Sequence, residues 1–229
     1  MNGTPTIHPP GRALSRRRFL GLAASGGVGL LAAGALSACN DAPLDPAAEA
    51  VIDLGSDGGV LNGLYALSQL KGEFANRVVL APFVGMPAAG VALFTDLREH
   101  TTAHVGWFVE RLRSRRIYDS LRFDFAAVDM TAAAVVLPRA RQLADAVSAA
   151  YVDSVVRLRD ADTARVVAKM ASVHARHAAA VRDLGDVSGT AFAAPEAVDP
   201  QTGLERELSL ADALEALRPY FHSRLDVRS

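Results

Sequence analysis

Apolar side chains recur along this chain at three- and four-residue intervals, in four long stretches. Leu61, Leu64, Tyr65, Leu67, Leu70 and Phe74 predict a first helix that Ser56 or Asp57 caps and that runs to about Leu80. Ala81-Pro82 and Gly85-Met86-Pro87 make a loop, and Pro87 is placed to start a second helix reaching about Ser114. Its stripe is Val91, Phe94, Leu97, His104, Val105, Phe108 and Leu112. A third helix is expected from Asp129 or Thr131 to about Arg157, with Pro138 either kinking it or marking its true start. A fourth starts at Asp160 or Asp162, runs to Leu184 and stops at Gly185. Between the second and third, Leu121-Arg122-Phe123-Asp124-Phe125 alternates apolar and polar, and is read as an extended crossover. A short last helix begins at Ser209-Leu210-Ala211-Asp212 and ends near Pro219. The fold class is all-α: a four-helix bundle with a long crossover between helices 2 and 3.

The first 38 residues follow another pattern. Ser15-Arg16-Arg17-Arg18-Phe19-Leu20 opens an uncharged run that ends in Leu36-Ser37-Ala38-Cys39. A positive start, an apolar middle and a small-residue processing site make an export signal. Arg16 and Arg17 before Phe19-Leu20 resemble the twin-arginine signal, and Leu36 to Cys39 resembles a bacterial lipobox, which implies a lipidated Cys39 at the mature N-terminus. Phe19–Ala38 spans twenty residues and is just long enough for an uncleaved membrane helix, but five glycines and two serines weaken that alternative. Either way the folded body lies outside the cytoplasmic membrane, anchored at its outer face. The expected organisation is a signal over 1–38, a tether rich in Asp, Pro and Ala over 39–56, the bundle over 57–185 and an extension with the short helix over 186–229.

Composition narrows the function. Cys39 is the only cysteine, so the body holds no disulfide and depends on packing. The chain's formal charge is −1, and residues 1–38 carry four arginines and no acid, which leaves −5 on the rest. A mildly acidic body lacks the basic footprint that nucleic acid binding needs. Gly55-Ser56-Asp57-Gly58-Gly59 lacks the strand and spacing of a dinucleotide-binding loop.

The histidines carry the remaining chemistry. His100 and His104 stand at i,i+4 on the second helix, and His174 and His177 at i,i+3 on the fourth, so each pair shares a helical face. If the two helices face each other, four imidazoles converge. Imidazole suits zinc, copper or nickel, and one such ion would be four-coordinate. The alternative is that His104 and His177 are core histidines, with His100 and His174 at the edge.

Val173-His174-Ala175-Arg176-His177-Ala178-Ala179 resembles the ferritin-like pattern Glu-Ala-Arg-His-Ala-Ala, and Thr101-Thr102-Ala103-His104-Val105 resembles Glu-x-x-His-Val. Leu61-Asn62 and Leu67 to Phe74 resemble the first helix of a bacterial ferritin-like family that includes desiccation-related proteins. Phe123-Asp124-Phe125 is similar to its crossover and Ala149-Ala150-Tyr151-Val152 to its third helix. The resemblance implies a bundle built for two metal ions held by carboxylates and by Glu-x-x-His pairs. All four expected carboxylates are replaced, by Ser68, Thr101, Ala144 and His174; only His104 and His177 match retained ligands. Two divalent ions against neutral imidazoles would leave about four positive charges in the core, at a Coulomb cost of several kcal/mol even at an effective dielectric of about 20. Glu99, Glu73 and Asp145 are each rotated by roughly 100–160° from the nearest replaced position.

The leading expectation is therefore a non-enzymatic lipoprotein with a degenerate metal site and no cofactor. It would be a structural or binding subunit partnered by an intact ferritin-like paralogue or by copies of itself. Against the absence of a cofactor stands the export route, since the twin-arginine pathway carries folded and often cofactor-loaded proteins. The alternatives are a protein binding one zinc or copper ion through His104, His177, His174 and His100, and, after it, a di-iron oxidase.

Overall fold

The computed structural model describes residues 49–117, 121–186 and 189–228. The export signal with Arg16 and Arg17, the lipobox Cys39 and the tether up to residue 48 lie outside the described residues. Four long helices dominate: α1 (Asp57–Leu80), α2 (Ala88–Leu112), α3 (Ala133–Arg157) and α4 (Ala161–Gly185). A short helix, α5 (Leu210–Ala216), follows. The all-α expectation holds, with each long helix near its predicted bounds. α1 packs on α2 and α3 on α4, and residues 121–132 lead into the second pair.

Local chemistry sets the helix ends. Ser56 caps α1 by accepting Gly59 N–H at 3.1 Å, and Asp160 caps α4 by accepting Thr163 N–H at 2.7 Å. α3 starts four residues after Asp129 because the Asp129 carboxylate takes Thr131 N–H at 2.9 Å and Thr131 Oγ1–H at 2.6 Å, closing a turn of its own. Pro138 lies inside α3 rather than at its start. Asp57 ties the pairs together by accepting the backbone N–H groups of Arg159 and Asp160, each at 3.0 Å.

The crossover is extended, as its alternation predicts. Phe125 meets Phe74 edge-on at 5.7 Å and Tyr220 at 5.6 Å, while Phe123 bridges to Phe221. These aromatic contacts fasten the C-terminal segment over the crossover.

Two strands depart from the sequence expectations. Part of the predicted tether, Glu49–Asp53, forms β1, which pairs in parallel with β2 (Arg224–Arg228) from Glu49 opposite Arg224 to Asp53 opposite Arg228. Ala50, Ile52 and Leu54 point inward and are buried, whereas Val51 is exposed. The last helix ends at Ala216, and Pro219 sits in a following 3₁₀ turn, Arg218–Tyr220. Among the described residues no helix is long and apolar enough to cross a membrane.

Candidate functional site

The core stripe of α1 contains a lysine. Leu64, Leu67, Phe74 and Val78 are buried at helical spacing, and Lys71 fills the position between Leu67 and Phe74 with only 2 % of its surface exposed. The side chain runs into the bundle interior and ends on two imidazoles of α4. Lys71 Nζ lies 2.9 Å from His174 Nδ1 and 3.5 Å from His177 Nδ1. Each of those rings turns its other nitrogen toward α2: His174 Nε2 is 3.2 Å from His104 Nδ1, and His177 Nε2 is 3.0 Å from His100 Nδ1. The result is a continuous chain, His104–His174–Lys71–His177–His100.

Two kinds of proton assignment satisfy every link. In one, Lys71 donates to both Nδ1 atoms, and His174 and His177 carry their protons on Nε2 and donate them to His104 and His100; in the other, the neutral amine accepts from one ring and donates to the other. Ring packing supports the geometry: His100 stacks on His177 with 8° between planes, and His174 and His177 stand at 89° to each other.

Electrostatics agree with uncharged rings. Burial, and then the neighbouring Lys71, lower His104 to about 4 and His177 to about 3 from an ordinary 6.5, and push His174 well down. Burial also lowers Lys71 from 10.5 to about 7, partly opposed by the charge of Asp145. Tyr151 closes the site from α3, with its ring centroid 4.2 Å from that of His174. Its hydroxyl is 2.7 Å from Ser68 Oγ, whose own hydrogen goes to Leu64 C=O at 2.7 Å, so Tyr151 is the donor. Burial raises its phenol above the usual range, and it stays protonated.

The four positions where carboxylates are expected all face the interior. Ser68, Thr101 and His174 are fully buried, and Ala144 is 1 % exposed. Thr101 Oγ1 and Ser148 Oγ are buried without a hydrogen-bond partner among the described residues. The structure brings all four candidate histidines together, but at different depths. His174 and His177 are buried, His104 is half-buried and His100 is exposed. His174 is therefore central, which corrects its expected place at the edge.

The rejected carboxylates lie elsewhere. Glu73 pairs with Arg77 at 2.8 Å and Glu99 is 3.8 Å from Arg98, both at the surface. Asp145 pairs with buried Arg182 at 2.6 Å in a groove of about 500 Å³ between α3 and α4, whose lining includes neither Lys71 nor any of the four histidines.

These donors do not fit the two-metal centre that the resemblance implies. Among the described residues no carboxylate is hydrogen-bonded to the cluster to neutralise hard cations. The amine also stands where an ion would, since a metal–imidazole bond of about 2.0–2.1 Å needs the space that Nζ fills. Among the described residues no three His, Cys, Asp or Glu side chains are arranged to hold one metal ion. Lys71 was missed in the sequence, although its signal was present: a lysine inside an i, i+3, i+4, i+7 apolar stripe and one turn after Ser68.

Among curated proteins, none matches the chain. The family model described as Ferritin-like domain matches residues 56–186, which span α1, α2, the crossover, α3 and α4 and make up more than half of the sequence. With four long helices in that order, the chain belongs to the ferritin-like domain family.

Proposed function

We propose that this protein is an exported, lipid-anchored ferritin-like bundle that works as a non-catalytic structural or binding subunit at the outer face of the cytoplasmic membrane. One observation carries the reading: the buried amine of Lys71 is bonded to His174 and His177 at the centre of the bundle, where oxidase chemistry would need carboxylate-held metals. A fully hydrogen-bonded polar cluster can rigidify a core and fix its packing without turning over a substrate. The anchor rests on Arg16, Arg17 and the Leu36–Cys39 motif. The partner is an intact ferritin-like paralogue or further copies of this chain. A folded, metal-loaded partner would also account for the twin-arginine route.

The test is to express the chain with its own signal and without a histidine tag, and to follow its location and metal content. The native protein is expected in the membrane fraction without stoichiometric iron, zinc or copper, and Cys39→Ser is expected to release it in soluble form. Two irons per chain would revive the oxidase. A Cys39→Ser protein that stays in the membrane would overturn the lipid anchor.

A second reading, a zinc- or copper-binding protein, is favoured by the convergence of four imidazoles from α2 and α4. It requires Lys71 to leave its place. One zinc or copper per native chain, lost on replacing His104 and His177 by alanine, would establish it.

A further inference from the structure

The two buried imidazoles are arranged as metal ligands are, with an amine in place of the ion. Metal-binding histidines present one nitrogen to the metal and donate the other N–H to an orienting acceptor. With Lys71 as the donor to both rings, His174 and His177 have this arrangement. Their Nδ1 atoms converge on Lys71 Nζ at 2.9 and 3.5 Å, and their Nε2 atoms are fixed by His104 and His100 at 3.2 and 3.0 Å. The rings stand at 89° to each other.

We propose that Lys71 is a covalently attached stand-in for a metal ion, and that truncating it at Cβ converts the His174–His177 pair into a site for one divalent transition ion of the zinc, copper or nickel type. The inference rests on the reading above that the native chain carries no metal. Removing Cγ, Cδ, Cε and Nζ vacates the point where both Nδ1 atoms already meet. The outer pair His104 and His100 is in place to hold the ligand rings. Water completes the coordination, because only two protein nitrogens face the vacated point. Imidazole donors without carboxylates select borderline ions over iron or manganese in oxygen-rich sites.

The experiment uses the full chain, extracted in detergent without a histidine tag, as native protein, Lys71→Ala and Lys71→Met. Each is dialysed against zinc, and cobalt(II) is added separately as a spectroscopic probe. The native chain is expected to retain no zinc, Lys71→Ala one ion per chain, and Lys71→Met none, because its unbranched side chain reaches to within one bond of the Nζ position. Adding His177→Ala to Lys71→Ala is expected to abolish retention. If Lys71→Ala is unfolded when apo, circular dichroism with and without zinc gives the same decision: helix regained with zinc supports the proposal, and no recovery overturns it. A folded Lys71→Ala that retains no zinc, or retention by Lys71→Met equal to that of Lys71→Ala, also overturns it and leaves the metal-free native chain standing. Zinc held by the native chain would instead overturn the reading on which the proposal rests.

Discussion

Burial of Lys71 lowers its amine from an ordinary 10.5 to about 7, and that shift makes a stability statement. Between these values the unfolded chain holds a proton that the folded chain has released, so stability rises with pH from about 7 to about 10.5. The groups facing the amine do not reverse the trend. Tyr151 stays a phenol, and His104 and His177, lowered to about 4 and about 3, add a loss of stability as pH falls below 6.5. Urea midpoints measured from pH 5 to 10 should climb throughout, and Lys71→Leu should flatten the part above pH 7. A native chain whose midpoint is constant from pH 7 to 10 would mean that burial does not bias the amine. At this scale the sequence shows less than it holds. The helical phase groups His100 with His104 and His174 with His177, but their depths depend on how α2 and α4 face each other. Lys71 is identified only once the apolar stripe around it is known to be core.

The long helices were legible because each carries its own period, cap and stop, all within a few residues of one another. Ser56 before α1, Pro87 before α2 and Asp160 before α4 stand where the sequence places them. The strands were not, because β1 acquires its conformation from a partner some 175 residues along the chain. An isolated two-stranded pair is marginal by itself. Here Ile52 and Leu54 are buried against the bundle, and Leu54 N–H donates to Arg228 C=O at 2.7 Å. The join between β1 and α1 is so close that Gly59 has no room for a side chain: a Cβ there would lie 1.6 Å from Asp53 C=O. Gly59→Ala must therefore shift the strand end or the first turn of α1, at a cost on the order of 1–3 kcal/mol. A chemical denaturation midpoint unchanged by Gly59→Ala would show that the strand end yields freely. Gly58, whose Cβ would meet nothing within 4 Å, is the control, since Gly58→Ala should leave the midpoint nearly unchanged or raise it.

At the scale of the molecule, the chain closes on itself: β2, from its end, covers the segment that leads into α1. Phe123 and Phe125 of the crossover, Phe74 of α1, and Tyr220 and Phe221 before β2 form one aromatic seam, with Arg77 lying 5.0 Å over the Phe125 ring. Truncation after Ser223 removes β2 and leaves this seam intact. It therefore separates the strand pair from the bundle. The loss of β2 should free the β1 amides to exchange with solvent, while amides in α1 and α4 stay protected. The reason is that the helices bury their own stripes against one another, and the histidine chain ties α2 to α4 without help from the strands. Hydrogen exchange read residue by residue decides the matter. If protection around Lys71 and His174 collapses together with β1, the strands belong to the same cooperative unit as the polar core. If it persists, the strand pair is a separable clasp, and the bundle with its lysine-centred cluster is the part that folds by its own packing.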